Sequence, residues 1–295
     1  MFETIIGQSI GWRKIEYNWR DVALYALAVG AGEDELEYYF EKNMKTLPSF
    51  GVVPYFNAVN NEPQRPLPYP AANLAHDLLE RELGEQFAQG LHMGHKLVMH
   101  RPIDPIKGSL VFNDTISAIY DRGEGKGLIV ETRQPVYDEA GNLLCESIST
   151  THMQTKGGHG GVKPPNGKQN YPDRSPDFTV DYTLAKTQGA LYRLTGDTNY
   201  LHIDPEYAAS AGFGGHVIMQ GLASYGIACR MAIKGVIPHE PERMKSFSAQ
   251  MRSVGFPGAS MQLRGWKTGE GRAILKYVDL NTEKAVLDNC VFEWE

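Results

Sequence analysis

Cysteine is scarce in this chain, and its scarcity excludes several chemistries. Cys145, Cys229 and Cys290 are the only three in 295 residues. Odd in number and far apart, they match no zinc or redox spacing, and a reduced, cytoplasmic setting suits them. None sits near an identifiable base, so a covalent thiol nucleophile has no support. A surplus of positive charge is lacking too. The chain has 29 Lys and Arg against 35 Asp and Glu, a net −6 with no basic run, which argues against nucleic acid as a partner. No apolar stretch approaches the ~18 residues of a membrane span. The start, "MFETIIGQSIGWRKIEY", lacks the basic-then-apolar pattern of a signal peptide, and the final "FEWE" is neither a peroxisomal nor a retention signal. There is no G-x-S-x-G motif. A phosphate-loop reading of the stretch from Gly161 fails on spacing and on Gln169, where Ser or Thr is needed. What remains is an ordinary globular composition, 42% hydrophobic and 22% charged, with length for two domains or one large one.

The chain rhymes with itself. "ALYAL" at Ala23–Leu27 returns as "ALYRL" at Ala190–Leu194, and "GEGKGLIVE" at Gly123–Glu131 returns as "GEGRAILKY" at Gly269–Tyr277. The order of the echoes is kept, so duplication explains them better than chance. Between the halves lies a Gly- and Pro-rich stretch, Lys156 to Phe178, with the composition of a linker. Each half begins with helical patterns and ends in strands separated by Gly-rich turns. "QGLASYGIACRMAIKG" (Gln220–Gly235) reads as a helix whose small face packs on a sheet, and Asp204-Pro205 reads as the N-cap and first residue of a short helix. Helices then strands, twice over, predict an α+β fold.

One loop carries an acid and an imidazole. In "LTGDTNYLH", Asp197 precedes His202 by five positions. In a helix that is about 500° of rotation, and in a strand an odd separation gives opposite faces. Only an irregular loop brings the two together. On spacing alone, a capping Asp and a satisfied buried His fit as well. Aligning the "ALY" segments places Gly30 opposite Asp197, so one half holds the pair and the other does not. A neutral imidazole can take a proton from water while a carboxyl in a dry setting holds one. Together they can add or remove water across a carbon–carbon bond, given donors for the charge that develops on a carbonyl oxygen. The N–H of Gly221, at the start of the small-residue helix, is such a donor.

The stretch "YRLTGDTNYLHIDPEYAASAGFGGHVIMQGL" resembles the signature of MaoC-like hydratases, in particular (R)-specific enoyl-CoA hydratase 2. "YALAVGAG", "LEYYFE", "LHMGHKL", "DRGEGKG" and "GGHGG" extend the likeness, in order, over nearly the whole chain. The resemblance implies a double hotdog. Residues 1–155 would form a non-catalytic repeat that enlarges the acyl pocket, 156–177 a linker, and 178–295 the catalytic repeat. It implies reversible hydration of a trans-2-enoyl-CoA to a (3R)-3-hydroxyacyl-CoA on medium, long or bulky acyl chains, with no metal or redox cofactor, in a homodimer. By the same likeness His202 is base toward water, Asp197 delivers the proton to C2, Asn199 fixes the loop and the Gly221 N–H binds the thioester oxygen. Met93, Gly94, Arg122, Met251 and Glu41 fall at substrate- or CoA-contacting positions. The chain departs from the pattern at Tyr200 (usually Pro), at Gln220 (usually His) and in "GFGGHVIMQG", which is one residue longer. These departures bear on acyl specificity.

Other readings stay open at this point. A thioesterase of the same fold would release free thiol, and a non-catalytic acyl-CoA-binding subunit would not need the Asp–Asn–His set. One Asp and one His make no metal site. His92, His95 and His100 cluster in sequence, but a regular strand would turn His95 away from the other two.

Overall fold

The structure is a computed structural model and describes residues 2–53, 74–84, 90–165 and 167–295. Strand β1 (Ser9–Asn18) runs directly into helix α1 (Trp19–Ala28). The Asn18 side chain accepts from the Arg20 N–H, and the Asp21 carboxylate accepts from the Asn18 N–H, which fixes where the helix starts. Short 3-10 turns follow at Leu36–Tyr38 and Pro48–Val52. Helix α2 (Leu74–Leu83) precedes β2 (Gly90–Met99), β3 (Lys107–Asp121), β4 (Leu128–Tyr137) and β5 (Leu143–Met153). The second half repeats the plan: β6 (Phe178–Thr183), α3 (Gln188–Arg193), α4 (Pro205–Ala208), α5 (Gly221–Val236), then β7 (Met244–Met251), β8 (Ser260–Gly269), β9 (Arg272–Asp279) and β10 (Lys284–Trp294).

All these strands form one ten-stranded sheet in the order β1-β3-β4-β5-β2-β7-β10-β9-β8-β6. Read outward from the centre, both halves have the same strand order. The halves join where β2 pairs antiparallel with β7, from Gly94 opposite Gln250 to Val98 opposite Ser246. This is a double hotdog, and the echoed "GEG" segments are the matching β3–β4 and β8–β9 hairpins.

The two halves differ in what covers the sheet. In the second, α5 lies in the concave face with Leu222 through Ile233 buried. Its Gly226 is where α1 crosses, since a Cβ there would stand 2.6 Å from the Tyr25 hydroxyl and 2.7 Å from Val29. In the first half no described helix matches α5. The 3-10 turn Pro48–Val52 packs against β2, β5 and α5 instead. A smaller apolar cluster lies toward the other ends of β3 and β4, with Phe2, Ile5, Leu78, Leu79, Ile116, Ile119, Leu128, Val130 and Met153. The Gly-rich linker is anchored to the first repeat. The Asp121 carboxylate accepts from the N–H groups of Gly123 (2.7 Å), Gly158 (3.1 Å) and Gly160 (2.7 Å).

A buried ion pair stitches the repeats together. Arg230 on α5 lies 2.5 Å from the Glu35 carboxylate, donates to the Val29 carbonyl at 2.9 Å and covers the Tyr182 ring at 4.9 Å. Removing one partner leaves an uncompensated buried charge, which is destabilising by about 3–5 kcal/mol. We therefore expect Arg230→Leu to lower the urea midpoint by a free energy of that order, and Arg230→Leu combined with Glu35→Leu to recover part of the loss. A single variant as stable as wild type would contradict this.

Candidate active site

The Asp197–His202 loop follows α3 and is irregular, as the five-residue spacing requires. Asn199 caps a 3-10 turn at Tyr200–His202, its side-chain oxygen accepting from the Leu201 N–H at 3.0 Å. The Asn199 N–H donates to the Asp197 carboxylate at 3.3 Å. Asp197 and His202 are both buried, at 6% and 8% exposure, which is unusual for ionisable groups and sets their chemistry. Burial pushes the Asp197 carboxyl above the usual carboxylate range, and the neighbouring His202, the Asn199 N–H and Arg193 offset this only in part. The loop thus brings acid and imidazole within electrostatic reach of each other.

The imidazole has one defined tautomer. His202 Nδ1 lies 2.9 Å from the Ile218 carbonyl oxygen. A carbonyl can only accept, so Nδ1 carries the hydrogen and Nε2 keeps its lone pair. No side-chain pattern marks Ile218, because a backbone oxygen orients the ring, and sequence reasoning had no signal for it. Asp204 is the N-cap of α4, accepting from the N–H groups of Glu206 and Tyr207, which accounts for it without catalysis. Tyr200 stands at the first position of its 3-10 turn, where Pro is tolerated, and its ring packs on Tyr207 with centroids 5.9 Å apart.

The start of α5 converges on the same place. Gln220 is fully buried and does not cap the helix; its amide donates to the Gly189 carbonyl at 2.9 Å. A Cβ at Gly189 would meet the His202 carbonyl oxygen at 3.5 Å, so α3, the loop and the entry to α5 touch one another. The first N–H groups of α5 have no intrahelical acceptor. Met251 packs at this end: a Cβ on Gly221 would stand 3.0 Å from its sulfur. Gln250, next to Met251, pairs with Gly94, which brings the half-buried Met93 and the buried Gly94 of the first repeat to the same end of the sheet.

Arg122 and Glu41 lie elsewhere. Arg122 is at the Asp121 end of β3, its Nη1 3.2 Å from His152 Nε2, beside a recess of about 460 Å³ lined also by Lys163 and the linker glycines. That is the same end of the sheet, four strands from β7. The structure does not bring Glu41 to the start of α5. Glu41 is exposed, and residues on both sides of it are tied to the opposite end of α5: Glu37 bonds His239 at 2.7 Å, and Lys45 donates to the His239 carbonyl at 2.7 Å. The length of α5, about 24 Å for its 16 residues, separates that end from Gly221. The histidine reading also changes. A register shift between His92 and Gly94 turns the two rings toward each other, His92 and His95 centroids standing 5.4 Å apart. His100 is apart from them, 3.2 Å from Glu146, and His216 is exposed.

The first repeat has no room for a second acid at the matching position. Gly30 has φ +83°, and a Cβ there would lie 2.3 Å from the Tyr182 ring. The Tyr182 hydroxyl in turn donates to Gln188, whose amide holds the Ala28 carbonyl at 2.6 Å. The space that would take a carboxylate is filled by the partner repeat.

The MaoC like domain matches residues 167–288, and the MFE-2 hydratase 2 N-terminal domain matches residues 15–155. The 3-hydroxyacyl-thioester dehydratase Y of Mycobacterium tuberculosis (strain ATCC 25618 / H37Rv) is 32% identical, over 88% of this chain and 86% of its own. The chain belongs to the MaoC-like dehydratase family. The enoyl-CoA hydratase ChsH3 of the same organism is 29% identical over 92% of both chains. The crystal structure of a MaoC-like dehydratase from Phytophthora Capsici superposes with TM-score 0.85 at 29% identity, over 100% of this chain and 99% of that one.

The raised Asp197 carboxyl has a thermodynamic signature. A carboxyl whose folded pKa lies above its unfolded value binds protons more tightly when folded, so stability falls as pH rises through the window between the two. We expect Asp197→Asn to melt higher than wild type at neutral pH, with the gap closing as pH is lowered toward the ordinary carboxylate value of 3.8. Melting curves with a pH-independent gap would contradict this origin.

Proposed function

We propose that the protein catalyses the reversible hydration of a trans-2-enoyl-CoA to a (3R)-3-hydroxyacyl-CoA. The observation that carries this reading is the pairing of a His202 whose Nε2 is free to accept a proton with a buried Asp197 whose carboxyl is biased toward its protonated form. The Ile218 carbonyl that holds His202 lies three residues before Gly221, the uncapped start of α5. In the forward direction one water sits between the two side chains. His202 Nε2 takes a proton from it while its oxygen bonds to C3. The C2–C3 π electrons move toward the thioester, and the charge that gathers on the carbonyl oxygen is met by the Gly221 N–H. Asp197 then delivers its proton to C2. The proton gained by His202 returns to Asp197, so the net change is one water added. Asn199 holds the loop in register through its own cap.

Support for the substrate class comes from the relatives' names, enoyl-CoA hydratase and 3-hydroxyacyl-thioester dehydratase. The (R) configuration and the preference for medium, long or bulky acyl groups follow from family likeness. In this reading the family likeness assigns Met93, Gly94 and Met251 to the acyl-thioester and Arg122 to a CoA phosphate.

The test is loss of the enoyl-thioester absorbance with a panel of short, long, branched and ring-bearing enoyl-CoAs. Asp197→Asn and His202→Ala should each lower kcat by about 10²–10⁴-fold with a smaller effect on KM. Full activity in either variant would remove these residues from the mechanism. Free thiol appearing instead of hydration would point to thioester hydrolysis.

A further inference from the structure

The concave face of the first repeat is interrupted by a polar band, and the interruption recurs strand by strand. Along one face of β3 the residues run Phe112, Asp114, Ile116, and along β4 they run Val136, Gln134, Thr132, Val130. Along β5 they run Cys145, Ser147, Ser149, Thr151, Met153. The apolar residues at one end belong to the main core and those at the other to the smaller cluster. The polar positions between them are in contact. Gln134 is directly opposite Ser147, Ser147 bonds His95 Nε2 at 3.0 Å, and Gln134 donates to Asp114 at 2.7 Å. Asp114 pairs with Arg13 on β1, and Thr132 bonds Ser149 at 2.6 Å. The band is narrowest on β3 and widest on β5, toward β2.

That wide end adjoins the candidate active site. The His95 ring packs edge-on against Tyr225 at 5.0 Å, and Tyr225 is one turn along α5 from Gly221. His92 donates to the Gly94 carbonyl at 2.9 Å, and Gly94 pairs with Gln250 beside Met251. From β2 to β3 the band crosses three strand spacings, about 14 Å, leading away from the proposed thioester position. It runs beneath the half of the molecule in which no described helix matches α5.

Outside the Arg13–Asp114 ion pair, one atom in the band is left over. Gln134 is 3% exposed, and its amide nitrogen faces the Asp114 carboxylate, which can only accept. The amide orientation is therefore settled, and Gln134 Oε1 is a buried acceptor with no hydrogen-bond partner. Folded proteins leave few such atoms, and each calls for a functional role or a further partner. The band also lacks unbalanced charge: Arg13 and Asp114 neutralise each other, and burial lowers the His92 pKa to about 4 and holds that of His95 well below the ordinary imidazole value, so both imidazoles are neutral near pH 7. Such a surface suits an uncharged oxygen substituent and disfavours a carboxylate or an ammonium.

We propose that the acyl group taken by this enzyme carries a hydroxyl in its outer part, remote from the thioester, which donates to Gln134 Oε1 and lies in the polar band of the first repeat. The proposal rests on the hydratase reading for the position of the thioester, but its test does not need turnover. Calorimetry on the full chain would compare dodecanoyl-CoA with monohydroxylated dodecanoyl-CoAs whose hydroxyl is walked along the outer half of the chain. At the best position the hydroxylated compound should bind about tenfold tighter than the plain one. Gln134→Leu should abolish that preference while keeping or improving affinity for the plain chain. Ser147→Ala, a smaller change, should reduce it and serves should the first variant not fold. Equal or weaker binding of every hydroxylated compound by wild type would overturn the proposal, as would a preference that survives in the folded variants. The matching enoyl-CoAs, assayed in parallel, separate the two readings: no turnover with a retained binding preference would count against hydration alone.

Discussion

Everything about the candidate site depends on the ladder between β2 and β7. Five residue pairs, from Gly94–Gln250 to Val98–Ser246, merge two sheets into one. Because the pairing is antiparallel and central, the end of β7 that carries Met251 meets the end of β2 that carries Met93 and Gly94. A helix N-terminus from the second repeat is thereby set beside a strand bulge from the first. Neither repeat holds this combination alone. A slip of one residue would turn His95 and Leu97 out of the concave face and end the contact with Tyr225.

The two repeats differ at the candidate site: the second carries the Asp197–His202 pair, and the first has Gly30 at the matching position. The difference is steric and electrostatic at once. Tyr182 occupies the space beside Gly30, and the Arg230–Glu35 pair locks the loop that follows. The same elements in the second repeat leave a loop free to present Asp197 and His202. A buried carboxylate is unfavourable, so keeping Asp197 in that loop works against stability. The anchoring of the surrounding segments offsets this: Gln220 to Gly189, His202 to Ile218 and Asn199 within its own turn.

The first repeat is more than a spacer. It lacks a described counterpart of α5, and the sheet face this leaves is not uniformly apolar. A band of hydroxyls, an amide and neutral imidazoles crosses it from the active-site end outward. A fold that only needed room for an alkyl chain would fill those alternating positions with apolar side chains, as it does on either side with Phe112, Val136 and Cys145 and with Ile116, Val130 and Met153.

Much of this was legible in the chain itself. The echoes of "ALY" and "GEG", the Asp204-Pro205 cap, the small-residue helix and the odd spacing of Asp197 and His202 are local patterns, and local patterns survive in a one-dimensional string. Backbone geometry forces them: a helix and a strand each have one period, so a departure from both marks a loop. The tertiary structure decided what depends on residues far apart in number. It set the His202 tautomer through a backbone carbonyl, moved Glu41 to the far end of α5 and turned His92 toward His95 by a bulge. It also filled the Gly30 position with Tyr182 and aligned Asp114, Gln134 and Ser147 across three strands. Each of these is a meeting of chain segments whose separation in sequence carries no signal, because packing and strand register, not local propensity, bring them into contact.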